Sequence, residues 1–391
     1  MNSERQHFTV NDQQRQWLAR LDGVLEAAKE ETKRVDEENS FNFKLIEELK
    51  RIGYHKLPVP ASYGGGQVSL TDMLLYQERI AQSDAPIALA IGWHMITVSQ
   101  LSITNQWEPE VLTRLYRDIV EHGALINRAD SEAATGSPSR GGVPQTRAKK
   151  TAGGYVLTGR KTFTSLAPVL DYFIVSAYDE EAGMICDFLL PKGTSGVSID
   201  PTWNMVGMKG TGSHDLVIQE AYLPDEAKVS ERLPSAARGM HPNPYMMSIP
   251  ACYLGIAGAA RNEALRFAKH YQPNSLDQPI AYLPHIQQLI GQIELELSAA
   301  RHYMYAVAAR WELEGEYAAY GNADIGAVKT FAIQTALSVV DKSMRIVGAH
   351  SLAMSHPLQR MYRDVRFGLH NPPMDDATLR NLAVRAINET N

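Results

Sequence analysis

The chain has only two cysteines in 391 residues, Cys186 and Cys252. They are too few and too far apart for a disulfide framework or a cysteine-built metal cage, so no metal is expected and a reducing cytoplasm is. Both read as small core residues. Positive charge is not in surplus either: 38 basic residues against 44 acidic give a net charge of -6. Nothing here offers a sequence-independent grip on nucleic acid. The opening MNSERQHFTV lacks the basic and then apolar run of a secretory signal. No stretch approaches the roughly 20 apolar residues of a membrane span, so the protein reads as cytoplasmic, with no membrane partner.

Several catalytic signatures are also missing. There is no GxGxxG after a strand, no GxxxxGK[ST], no HExxH and no GxSxG. Dinucleotide-fold, P-loop, zinc-protease and serine-hydrolase readings therefore lose their anchors. The contiguous Ser213, His214 and Asp215 do not make a triad, because neighbours on a strand face opposite sides. The glycine run Gly64 to Gly66 reads as a turn, since no strand–loop–helix pattern surrounds it.

What is present is a large globular chain, 44% hydrophobic and 21% charged, with three changes of character. Residues 1–122 are helical, with Leu18, Leu21, Val24, Leu25 and Ala28, then Leu45, Ile46, Leu49 and Ile52, at helical spacing. Residues 123–237 carry short β-rich runs between turn signals: GGYVLTG (Gly153 to Gly159), YFIVSAY (Tyr172 to Tyr178), MICDFLLP (Met184 to Pro191) and HDLVIQEAYLP (His214 to Pro224). That predicts a β-barrel or sandwich. Residues 238–391 return to long helical periods such as Ile286, Leu289, Ile290, Ile293, Leu297, Met304 and Val307, which predict a helix bundle. The class is α+β. Gly255, Gly258 and Ala259 would let helices approach closely, and apolar residues on more than one helix face suggest a buried oligomer interface.

Five strings, in order, resemble those of the acyl-CoA dehydrogenase superfamily across nearly the whole chain. They are IEELKRIGYHKLPVPASYGGG in the first part, SEAATGSP (Ser131 to Pro138), GYVLTGRKTFTS (Gly154 to Ser165), VGMKGTGSHDLVIQEAYLP, and PLQRMYRDVR (Pro357 to Arg366). The resemblance implies a flavin against the central β part, an N-terminal helical domain, a C-terminal four-helix bundle and a homotetramer. Its cofactor contacts would fall on Ser131, Gly136, Ser137, Phe163, Thr164, Ser165 and Trp203. A flat apolar ring with a polar edge suits such a set of aromatic, hydroxyl and backbone groups.

The chain departs from that family where a dehydrogenase keeps its base. The family's two positions for the proton-abstracting glutamate fall on Pro372 and Tyr245, and the only carboxylates near the first, Asp375 and Asp376, read as the cap of the last helix. The arginine of the family's RxxFGxPI string, which contacts the FAD pyrophosphate, is Pro273 here. That substitution weakens FAD binding in this reading and admits FMN, or a flavin taken up reduced. The chain also resembles the superfamily's two-component flavin monooxygenases, in LHNP (Leu369 to Pro372), His94 in IGWHM, Asn127 in ALINRAD, Ser165 in KTFTS and Trp203 in TWNMVGM. This resemblance implies oxygenation of a small-molecule substrate through a flavin C4a-hydroperoxide, with a separate reductase supplying the flavin. His370, His94, Asn127 and Ser165 would be its catalytic residues, because imidazole, amide and hydroxyl groups donate hydrogen bonds without acting as a strong base. The alternative is an acyl-CoA dehydrogenase with a displaced base.

Overall fold

The structure is a computed structural model that describes residues 11–104, 106–135, 142–234, 243–314 and 321–388. Among the described residues six α-helices come first: α1 (Asp12–Ala27), α2 (Lys29–Glu38), α3 (Phe43–Arg51), α4 (Leu70–Ala81), α5 (Ala85–Thr104) and α6 (Pro109–His122). Their ends follow from short polar residues and glycine. Asn11 and Gln14 cap each other's backbone at the start of α1, Asn42 and Ser69 accept from Leu45 N and Asp72 N, and Gly123 at φ 68 stops α6. Between α3 and α4 the glycine run makes the expected turn. A Cβ on Gly65 would lie 2.0 Å from the Val59 carbonyl oxygen, so no larger residue fits.

The membrane reading needs amending at α5. Its 20 residues, and the segment Ala323–Leu352, are long and apolar enough to cross a bilayer by composition. In this fold both pack into the core, with 72% and 61% of the most apolar 18 residues of each buried within the protein.

Among the described residues eight strands follow: β1 (Ile126–Ala129), β2 (Arg147–Thr151), β3 (Gly154–Thr164), β4 (Tyr172–Asp179), β5 (Met184–Pro191), β6 (Val197–Asp200), β7 (His214–Pro224) and β8 (Lys228–Arg232). All join one ladder in the order β6-β7-β3-β2-β4-β5-β8, with β1 added in parallel to β4. The four runs read from the sequence are β3, β4, β5 and β7. The other strands have four or five residues, too few for alternation to register.

The chain then returns to helices: α7 (Ser248–His270), α8 (Pro284–Glu314), α9 (Gly321–Val347), α10 (Pro357–Val365) and α11 (Asp375–Asn388). Of the two glycines marked for close packing, Gly255 is required, because its Cβ would sit 2.4 Å from the Glu78 carbonyl oxygen on α4. Gly258 is not, since the nearest atom there is the Gln82 amide at 3.5 Å. One apolar core joins the three parts, with Leu74 and Ile91, Leu157 and Phe173, and Tyr253 and Val339 in a single cluster. Both cysteines are buried, as expected of small core residues.

Candidate active site

The site begins with a defect in β3. Pairing with β7 slips between Lys161 and Thr164, and inside that bulge Phe163 takes φ 57; Leu166 beyond it takes φ 67. A left-handed non-glycine residue costs about 1–3 kcal/mol, so neighbouring bonds must hold it. Thr162 N donates to Ser131 O at 2.8 Å, Ser165 N to Phe163 O at 3.0 Å, and Leu166 N to Thr211 O at 3.0 Å. The kink turns the Phe163 ring outward, 58% exposed and edge-on to Trp203 at 5.8 Å. Trp203 meets Phe367, just after α10, at 6.1 Å. A row of three aromatic rings thus joins the sheet to the bundle.

Behind the row runs a hydroxyl chain. Thr211 Oγ1 donates to Met208 O at 3.0 Å, Ser213 Oγ donates to Thr211 Oγ1 at 2.8 Å, and Ser165 Oγ lies 2.9 Å from Ser213 Oγ. Trp203 Nε1 donates to the same Met208 carbonyl at 3.0 Å. Met208, itself left-handed at φ 49, donates its N–H to Oδ1 of the buried Asp364 on α10 at 2.6 Å. Gly207 permits this contact, because a Cβ there would fall 2.5 Å from Arg363 O. Asp364 therefore clamps the turn that carries both the aromatic wall and the hydroxyl chain. The sequence offers no local sign of it.

Asn127 on β1 approaches from another side. Its Nδ2 donates to Ser165 O at 3.1 Å while its Oδ1 accepts from Arg128 N at 2.7 Å. The loop leading to Ser131 is fixed by a buried ion pair. Lys161 Nζ donates to Glu132 Oε1 and Ser176 O, both at 2.6 Å, and Glu132 also accepts from Gln145 N, Thr146 N and Thr146 Oγ1. Burial lowers the Lys161 amine. It also pushes against ionisation of Glu132, but Lys161 and the N–H groups outweigh it and hold that carboxyl below its usual range.

The structure thus brings Asn127, Phe163, Ser165 and Trp203 together. Thr164 is fully buried behind them, its hydroxyl without a partner among the described residues. Ser131 offers its backbone carbonyl to Thr162, and Gly136 and Ser137 lie outside the described residues. His94 has no nitrogen to spare: Nδ1 accepts from Ile126 N at 3.1 Å and Nε2 faces the His55 carbonyl oxygen at 2.9 Å. The first bond fixes the proton on Nε2, so the ring ties α5 to β1 as a neutral group. His370 is exposed at the end of the 3-10 turn Arg366–His370 and makes no hydrogen bond among the described residues. Next to it, Asn371 Oδ1 accepts from the buried Tyr253 hydroxyl at 2.5 Å, which turns the amide's two N–H donors away from Tyr253.

Carboxylates beside the two base positions are engaged. Asp375, three residues past Pro372, stands in the first turn of α11 and binds Lys329 Nζ at 2.9 Å and Thr330 Oγ1 at 3.0 Å. Glu312, whose charge reaches the Tyr245 phenol, accepts from Thr71 N at 2.7 Å and Thr71 Oγ1 at 3.0 Å. The Ser213 to Asp215 run is dispersed as its alternation requires: His214 Nδ1 accepts from Trp203 N, and Asp215 pairs with Arg160.

Two opposing titrations predict the acid response. Burial pushes His94 and His55 down to about 4 from an ordinary value near 6.5, so their contribution is full above pH 6.5 and drains as pH falls toward 4. Asp364 is pushed up to about 6 by burial, so it gains stability as pH falls below 6. Two imidazoles outweigh one carboxyl. Melting temperature should fall from pH 6.5 to 4, and more steeply in Asp364→Asn; a flat or rising profile in that variant contradicts the assignment.

The isoalloxazine of a flavin is a flat apolar ring with a polar edge. The outward Phe163 ring, the Trp203 edge and the lone pairs of Ser165 suit its face and its edge respectively. Comparison with known proteins gives the same reading. The acyl-CoA dehydrogenase N-terminal, middle and C-terminal domain models match residues 11–109, 128–221 and 247–371. YdbM of Bacillus subtilis (strain 168), whose name as an acyl-CoA dehydrogenase is itself provisional, is 47% identical over 97% of this chain and 98% of its own length. The amino sugar nitrososynthase DnmZ of Streptomyces peucetius is 29% identical over 90% of this chain and 88% of its own. Among solved structures, TdsC of Paenibacillus sp. A11-2 with FMN and indole superposes with a TM-score of 0.84 at 19% identity, covering 96% and 98% of the two chains. The chain belongs to the acyl-CoA dehydrogenase family and is a flavin-dependent oxidoreductase.

Proposed function

We propose that the protein is a monooxygenase that takes up FMN reduced by a separate enzyme and oxygenates a small molecule. The carrying observation is the lack of a free carboxylate at either base position, where Tyr245 and Pro372 stand and the neighbouring Glu312 and Asp375 are bonded elsewhere. A dehydrogenase needs that base to take the proton alpha to a thioester. When bound, reduced flavin supplies two electrons to dioxygen, so that one oxygen atom reaches the substrate and the other leaves as water.

The protein's own groups serve that reaction by excluding water and donating hydrogen bonds. Phe163, Trp203 and Phe367 wall the site, Asn371 presents amide N–H groups, and Asn127 fixes the Ser165 backbone. His370 moves a proton at the substrate, its exposed ring offering nitrogens that can donate or accept a hydrogen bond. His94 acts behind the site by holding β1. FMN is favoured over FAD because residues 271–283 contain no lysine or arginine for a pyrophosphate and one aspartate, Asp277. The FMN-bound TdsC among similar proteins supports the same choice. A homotetramer in the cytosol is part of the proposal. An open apolar groove of 480 Å³ between α8, α9 and α11, with Phe331 and Leu379 exposed beside it, is a surface that a second copy would cover.

The test supplies FMN, NADH, a flavin reductase and oxygen-18 gas to the protein with a panel of aryl amines, phenols and sulfur heterocycles. One labelled oxygen atom in a product is expected. Hydrogen peroxide alone, with every candidate recovered unchanged, counts against the proposal. The name of YdbM favours the second reading, an acyl-CoA dehydrogenase with a displaced base.

A further inference from the structure

The hydroxyl chain ending at Ser165 has a direction. A carbonyl oxygen has no proton to give, so the 3.0 Å contact between Thr211 Oγ1 and Met208 O is a bond only if Thr211 donates. Ser213, at 2.8 Å, then donates to Thr211, and Ser165, at 2.9 Å, donates to Ser213. Reversing the chain would set two lone pairs against each other at Met208 and forfeit a bond. The Met208 carbonyl cannot turn away to relieve this. It also accepts from Trp203 Nε1, and its residue is clamped by Asp364. Ser165 Oγ, in a residue 8% exposed, is thereby left with lone pairs and no proton for a ligand.

We propose that this chain makes Ser165 a dedicated hydrogen-bond acceptor, and that Ser213 and Thr211 are positioning residues that make the site prefer reduced over oxidised flavin. The two forms differ at the ring nitrogens. The central nitrogen of the oxidised ring carries a lone pair, whereas in the reduced ring the same atom carries an N–H. An obligate acceptor opposes the first and binds the second. This deepens the functional reading above and rests on it, because a protein fed by a separate reductase must capture reduced flavin in preference to the oxidised product.

The test measures dissociation constants of reduced and oxidised FMN under nitrogen, and the two-electron midpoint potential of the bound flavin. Ser213→Ala frees the Ser165 proton to turn outward. Thr211→Val does the same by another route, because Ser213 must then donate to Ser165. Each variant should lower the preference for reduced FMN about tenfold, equivalent to a fall of about 30 mV in potential for a two-electron couple. Ser165→Ala should lose the preference, and adding Ser213→Ala to it should change nothing more. A ratio and potential unmoved in both single variants, with both forms still bound, overturn this inference alone. A wild-type protein that binds neither form overturns the functional reading and this inference together.

Discussion

Lys161→Met should lower the stability of the protein by about 3–5 kcal/mol, the usual loss when one member of a buried ion pair is removed. Lys161 is 0% exposed and Glu132 3%, so the substitution leaves a carboxylate in a dry interior. Its remaining partners, Gln145 N, Thr146 N and Thr146 Oγ1, are neutral donors and do not balance the charge. The neighbouring backbone joins β3 to the Ser131 loop, so flavin affinity should fall with stability. Adding Glu132→Gln should recover part of the loss, since the amide oxygen still accepts from Thr146 and no charge is stranded. Thermal melts of the three variants check this, and a Lys161→Met protein that melts with the wild type contradicts it.

His370→Ala should do the reverse. The ring is exposed and without a hydrogen bond among the described residues, so its loss should alter stability by no more than about 0.5 kcal/mol. A group that moves a proton in the reaction contributes about 100-fold to turnover, and that is the expected fall. Oxygen label in product, followed beside the melting temperature, separates the two effects. Equal turnover in variant and wild type removes His370 from the chemistry; a matching loss of stability makes it structural.

Long periodic segments were legible in the sequence because each carries its own signal. β3, β4, β5 and β7 fall on the β-rich runs, and α8 on the helical period from Ile286 to Val307. The site was legible as residue types but not as roles. His94 looks like a donor until its two ring nitrogens meet Ile126, 32 residues away, and His55, 39 away. Asp364 reaches Met208 across 156 residues, a contact that no local pattern encodes. Phe163, by contrast, was singled out as an aromatic group near the ring, but the left-handed kink that exposes it depends on bonds from Ser131 and Thr211. The family resemblance therefore named residues that gather around Ser165, while their hydrogen-bond directions needed the fold.

Among the described residues, Glu312 and Asp375 beside Tyr245 and Pro372 are bonded elsewhere and not free to take a proton alpha to a thioester. Anaerobic titration of the flavin-loaded protein with short, long, branched and aromatic acyl-CoAs tests it most directly. The visible band of oxidised flavin should persist with every thioester; bleaching by any one of them contradicts the account.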